Sequence, residues 1–275
     1  MTRAWAGAEP LGRIHLLLLA TLLVLAAGAW LLTGDRMAGM DAGPGADPGT
    51  LGFFAVSWVV MMAAMMFPSV APMVLVFATI QRRRRARGAA TVPRAVFVAG
   101  YLVAWTAFGL AAYGLYVGVR SLSIDALAWD RAGRWVAAGV IAAAAVYQLT
   151  PAKDACLRRC RGPLDFLTER WRDGRAGALR MGVEHGAWCV GCCWGLMATL
   201  FALGVMSLAW MVVVAGLIAV EKLLPYKAVA NRFVTAVLAA LALAVALVPG
   251  DTPGLTEPGS HEGKMGTMMA PGDGH

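Results

Sequence analysis

The chain has 275 residues, of which 59% are hydrophobic and 15% charged, with a mean hydropathy of +0.66 and a formal net charge of +8. An average soluble domain carries about 25% charged residues, so this composition excludes a soluble globular fold. It predicts an all-α, polytopic transmembrane helix bundle over residues 1–250 and a flexible tail over 251–275.

A membrane span needs roughly 20 apolar residues, and about seven spans (six to seven) are expected. The first, Ile14 to Leu32, follows Arg3 and Arg13 and has the small residues Ala27, Gly28 and Ala29 near its end, as a signal peptide does; it is read as an uncleaved anchor. The segment Gly34 to Thr50 is rich in Gly, Asp and Pro and carries Met37 and Met40.

The second span, Leu51 to Ile80, contains Met61, Met62, Met65 and Met66. At 3.6 residues per turn Met62, Met66, Ser69 and Met73 form one stripe, and Pro68 and Pro72 are expected to kink the helix. Methionine is also ordinary adaptable filler in a packed bundle, and this span alone does not demand more.

A basic run, Arg82 to Arg85 with Arg87 and Arg94, precedes the third span, Ala95 to Val119. The fourth, Trp135 to Leu149, is short. Pro151 then opens a short surface helix carrying Cys156 and Cys160 at i, i+4, beside Arg158, Arg159 and Arg161, whose charge favours the thiolate form.

His185 precedes the fifth span, Ala187 to Leu203, which begins with Cys189, Cys192 and Cys193 and continues to Met197. The sixth, Ser207 to Leu224, contains Glu221 and Lys222, ionisable residues that either pair with the cysteine-bearing segment or mark the membrane boundary. The seventh is Ala228 to Val248, and the tail after it carries His261, Met265, Met268, Met269 and His275.

Nineteen of the 24 basic residues fall on one side of these spans. Because Lys and Arg accumulate on the cytoplasmic side, the amino terminus is expected inside and the tail outside. The positive charge is then a topology signal directed at lipid headgroups, and no nucleic-acid partner is expected.

The two clusters hold all five cysteines of the chain. At helical spacing they place soft ligands on two helix surfaces, as a thiophilic metal site requires. Four thiolates suit Zn(II), two or three suit Cu(I), and the methionines and histidines of the outer segments favour copper, because zinc gains nothing from thioethers.

The candidate ligands are therefore Cys156, Cys160, Cys189, Cys192 and Cys193, with Met62, Met66 and Met197 in the spans and Met37, Met40, His261, Met265, Met268, Met269 and His275 outside. His185 is a further candidate, although an interfacial polar role is the simpler reading. With cysteines inside and the Met/His segments outside, no single static site uses both.

The stretches Met61 to Pro68, Tyr147 to Pro163, Cys189 to Met197 and Glu221-Lys222 resemble the predicted metal-binding integral membrane proteins of bacteria. The resemblance covers roughly Leu51 to Val248, and the cysteine motifs are its most specific part. Members of that family are described as copper chaperones, which implies a Cu(I)-binding protein of the bacterial inner membrane serving extracytoplasmic copper enzymes, with an extracytoplasmic copper protein as recipient.

The chain shows no soluble catalytic domain and no nucleotide motif, so no enzymatic activity is expected. The alternatives are a copper transporter, a thiol-disulfide oxidoreductase working Cys189 and Cys192 against Cys156 and Cys160, and an assembly factor stabilised by zinc.

Overall fold

A computed structural model describes residues 9–37, 49–122, 132–205, 207–224 and 226–248. Met40 and the tail residues His261, Met265, Met268, Met269 and His275 lie outside them. Among the described residues there are nine helices and no strand. They are α1 (Glu9–Met37), α2 (Leu51–Arg85), α3 (Arg94–Ser121), α4 (Arg134–Tyr147), α5 (Pro151–Arg161), α6 (Pro163–Arg170), α7 (Gly174–Leu203), α8 (Leu208–Leu223) and α9 (Lys227–Leu247).

Every apolar stretch read from the sequence is helical, as a lipid-exposed backbone must be to satisfy its own polar groups. Five helices, His15–Met37 of α1 together with α2, α3, α7 and α9, are long and apolar enough to cross a membrane. The fourth stretch is shorter than a span: α4 has 14 residues, and a 67° bend separates it from α5. Counting that pair as one span makes six.

The bend has a local cause. The Thr150 side chain accepts a hydrogen bond from the Lys153 amide, and Pro151 occupies the first turn, so a new helix starts where α4 would have continued. The sixth stretch, α8, has 16 residues between Ser207, which caps its start, and the extended Leu224. By contrast α2 runs unbroken through Pro68 and Pro72.

At the centre lies α7, packed against α3, α4 and α5. Its contact with α3 depends on small residues, the usual means of close helix approach in membranes. A Cβ on Gly182 would fall on the Phe97 carbonyl oxygen, and one on Gly100 would fall on that of Leu179. Neither clash involves a side chain that could move aside.

The basic residues gather at one end of the bundle. Arg84 of α2 pairs with Asp173 at 2.8 Å, while Arg170, Arg172 and Arg180 surround Glu184. Arg161 of α5 donates to the carbonyls of Glu221 and Leu224, covering the open C-terminal end of α8. The ends of α2 and α8, the start of α7, and helices α5 and α6 therefore share one side, as the charge pattern anticipates.

Candidate metal centre

The centre is built where α5 lies against α7 and α8. On α5, Lys153, Leu157 and Cys160 recur at helical spacing; Lys153 and Leu157 are fully buried and Cys160 is half-buried. On α7, Cys189, Cys192 and Cys193 are all buried, since this helix has neighbours on several sides.

The sulfurs of Cys160, Cys189 and Cys192 lie within 4.8 Å of one another. Cys192 Sγ is 3.5 Å from Cys160 Sγ and 3.4 Å from Cys193 Sγ, which places a fourth sulfur beside the group. All five cysteines are free thiols. An ion held at roughly 2.3 Å by each sulfur would separate the sulfurs by about 3.8 to 4.0 Å in tetrahedral or trigonal arrangements, so the three thiols stand near coordination spacing without movement of the helices.

Cys156 is not brought into this group. Its sulfur lies against Gly191, where an added Cβ would come within 2.8 Å of it, and Tyr147 Oη donates to the Gly191 carbonyl at 2.6 Å. The i, i+4 spacing correctly puts Cys156 and Cys160 on one face of α5. Because they sit one turn apart, α7 meets them at different places: Cys160 reaches Cys192, and Cys156 reaches the backbone at Gly191.

Two polar groups converge on Cys189. Lys222 Nζ is 2.9 Å from its sulfur, and the buried Tyr101 hydroxyl of α3 lies 3.0 Å away. A cation and a hydroxyl aimed at one sulfur are what a metal-binding thiolate needs. The arginines expected in that role are engaged elsewhere: Arg158 with Asp154, Arg159 over the ring of Trp188, and Arg161 on the end of α8. Lys222 supplies the charge, from a helix distant in sequence.

Beneath the sulfurs, Lys153 Nζ and Glu221 Oε2 form an ion pair of 2.7 Å, each side chain 1% exposed, and the same ammonium donates to the Cys192 carbonyl. Glu221 is thus paired inside the protein with the cysteine-bearing segment, and the part-buried Lys222 reaches Cys189 and Ser69. The pair ties α5 and α8 to the turn of α7 that carries the cysteines. Nothing in the local sequence marked Lys153 or Tyr101 for these roles, and only the packing reveals them.

The remaining candidates have varied surroundings. His185 is buried one turn before Cys189 and stacks with Phe97 and Tyr101 and against the edge of Phe166, outside the three-sulfur group. Met62, Met66 and Met197 are wholly buried. Met66 Sδ lies 3.8 Å from Ser69 Oγ, to which Lys222 also donates at 3.3 Å, so the α2 stripe borders the centre. Met37 ends α1, far along the sequence from any cysteine.

Residues 55–245, which include α3 to α8 and all five cysteines, match the family model PpoB2, described as copper chaperone. The chain belongs to this copper-chaperone family. No curated protein and no solved structure matches the chain. A member of the copper-chaperone family must hold copper and give it up to a copper-requiring partner, and a cluster of three sulfurs with a nearby fourth is a donor set suited to that ion. The family assignment also accounts for soft donors concentrated in a bundle of apolar helices.

Proposed function

We propose that this protein is a copper chaperone of the bacterial inner membrane that binds Cu(I) through the thiolates of Cys160, Cys189 and Cys192, with Cys193 as an exchange partner, and delivers it to extracytoplasmic copper enzymes. The observation that carries this reading is the convergence of those three sulfurs, from two helices, within 4.8 Å of one another in a family of copper chaperones. Two or three thiolates favour Cu(I), and stepwise substitution of one sulfur for another permits release without a high barrier.

The charge pattern supports an amino terminus in the cytoplasm and a tail outside, with the thiolate centre in the inner half of the bundle. There the reducing environment keeps the thiols free. The Met and His residues beyond Val248 serve in this reading as later acceptors on the outer face, and Cys156 and His185 support the centre from its edge.

The test is metal loading of the purified protein in detergent under reducing conditions, comparing wild type with Cys160→Ser, Cys189→Ser and Cys192→Ser. Tight Cu(I) binding with thiolate-to-metal absorption that each substitution removes is the expected result. Retention of Zn(II) alone, or Cu(I) binding indifferent to all three substitutions, would overturn it.

A further inference from the structure

The Cys160 and Cys192 sulfurs stand 3.5 Å apart, one carried by α5 and the other by α7. A sulfur–sulfur bond is about 2.0 Å long, so joining them needs roughly 1.5 Å of approach, the scale of a side-chain rotation. The fold keeps the two side by side: Lys153, two turns before Cys160 on α5, donates to the carbonyl of Cys192 itself. The helices are therefore clamped together at the residue that carries one of the sulfurs.

The other thiols are placed less well for such a bond. Cys193 Sγ is 3.4 Å from Cys192 Sγ, but adjacent residues have Cα atoms about 3.8 Å apart, below the roughly 4.4–6.8 Å that a disulfide spans. Cys189 Sγ is occupied by Lys222 at 2.9 Å and by the Tyr101 hydroxyl at 3.0 Å. Cys156 Sγ lies against Gly191. Among the five free thiols, the geometry favours Cys160 with Cys192.

We propose that Cys160 and Cys192 form a reversible disulfide when a peroxide reaches the centre, and that this bridge closes the site to copper. The inference rests on the copper reading given above and concerns the regulation of that same site. Cys160 is half-buried, whereas Cys192 is 1% exposed, so Cys160 is the thiol a small oxidant meets first. Its sulfur attacks one peroxide oxygen and the O–O bond breaks, giving a sulfenic acid and one water from hydrogen peroxide. The Cys192 sulfur then attacks the sulfenic sulfur, the S–O bond breaks, and a second water leaves. Both thiol protons end in water, two thiols are oxidised and one peroxide is reduced. A dithiol reverses the step by exchange, becoming a disulfide itself as the two thiols return.

The bridge removes two of the three sulfurs that lie within 4.8 Å of one another, because a thiolate is the ligand form and a disulfide sulfur carries no charge. Cys189 and Cys193, both on α7, are left without the donor from α5. The site is thus open to copper only while its two helices are joined by free thiols.

The experiment uses the full chain in detergent, metal-free, treated with hydrogen peroxide and then alkylated for mass spectrometry. Alkylatable thiols should fall from five to three, with a cross-linked peptide joining Cys160 to Cys192, and return to five with dithiothreitol. Cys160→Ser and Cys192→Ser should each abolish that peptide, while Cys156→Ser and Cys193→Ser should keep it. In chelator competition the oxidised protein should bind Cu(I) at least about 100-fold more weakly than the reduced one, since loss of an outer partner alone costs 10- to 100-fold. Thiol counting and peptide mapping need no copper, so a chain that forms the bridge but binds no Cu(I) when reduced would refute the copper reading and leave the bridge standing. A chain that binds Cu(I) yet keeps five thiols, joins a different pair, or binds Cu(I) equally well once bridged would overturn this proposal.

Discussion

Replacement of Lys153 by Met is the most direct probe of how the metal centre is held. The Lys153 ammonium lies 2.7 Å from Glu221, with both side chains 1% exposed. At an effective dielectric constant of about 20, two unit charges at that distance attract by roughly 6 kcal/mol. Desolvation of both groups offsets most of this, so the pair as a whole adds little net stability. Removing one partner is different, because Glu221 then remains buried without its counter-charge, at a cost of about 3–5 kcal/mol.

Lys153→Met should therefore lower the midpoint of equilibrium unfolding in denaturing detergent, followed by circular dichroism, by an amount equivalent to that cost. Lys153→Met/Glu221→Leu, in which both charges are gone, should recover most of it. Recovery in the double variant shows that the cost of the single one lies in the orphaned carboxylate and not in loss of the pair itself. A Lys153→Met protein as stable as wild type, or a double variant no better than the single one, would refute the reasoning.

Other expected outcomes test neighbouring parts of the structure. Cys160→Ser should weaken Cu(I) binding by at least about tenfold in chelator competition, whereas Cys156→Ser, whose sulfur lies against Gly191, should change it only a few-fold. Lys222→Met and Tyr101→Phe, which remove the two polar groups beside the Cys189 sulfur, should each reduce Cu(I) affinity about 10- to 100-fold without altering the stoichiometry. Gly182→Ala drives a methyl into the Phe97 carbonyl and should destabilise the bundle by about 1–3 kcal/mol in detergent unfolding, while Gly139→Ala, with open space around its Cβ, should not. Arg84→Ala, at an ion pair whose side chains are 39% and 72% exposed, should shift stability by less than about 1 kcal/mol.

Much of the architecture was legible because the bilayer makes hydropathy a strong signal. Long apolar runs have few alternatives to helix in lipid, and all seven stretches are helical. The clustering of basic residues at one end followed from the same logic. Length was harder to judge: α4 ends where Thr150 and Pro151 start a new helix at a sharp angle, a local event that an apolar average passes over.

The candidate site was legible only in part. Spacing alone showed that Cys189, Cys192 and Cys193 share neighbouring positions on one helix, and that Cys156 and Cys160 share a face of another. It did not show which of the two reaches the cluster. Nor did it show that Lys222, rather than the adjacent arginines, meets a sulfur, since all of these carry the same charge and lie near the same end.

What the sequence determined by itself is the class of protein, its helices, its basic end and the presence of two thiol clusters, because hydropathy and helical period act over a few residues at a time. What only the tertiary structure decided is membership of the centre: Cys160 with Cys189 and Cys192, Lys222 and Tyr101 on Cys189, and Lys153 on Glu221. Those contacts depend on where α3, α5, α7 and α8 meet. That is fixed by close packing among residues far apart in the chain, including glycines that let α3 and α7 touch, and no local pattern encodes it.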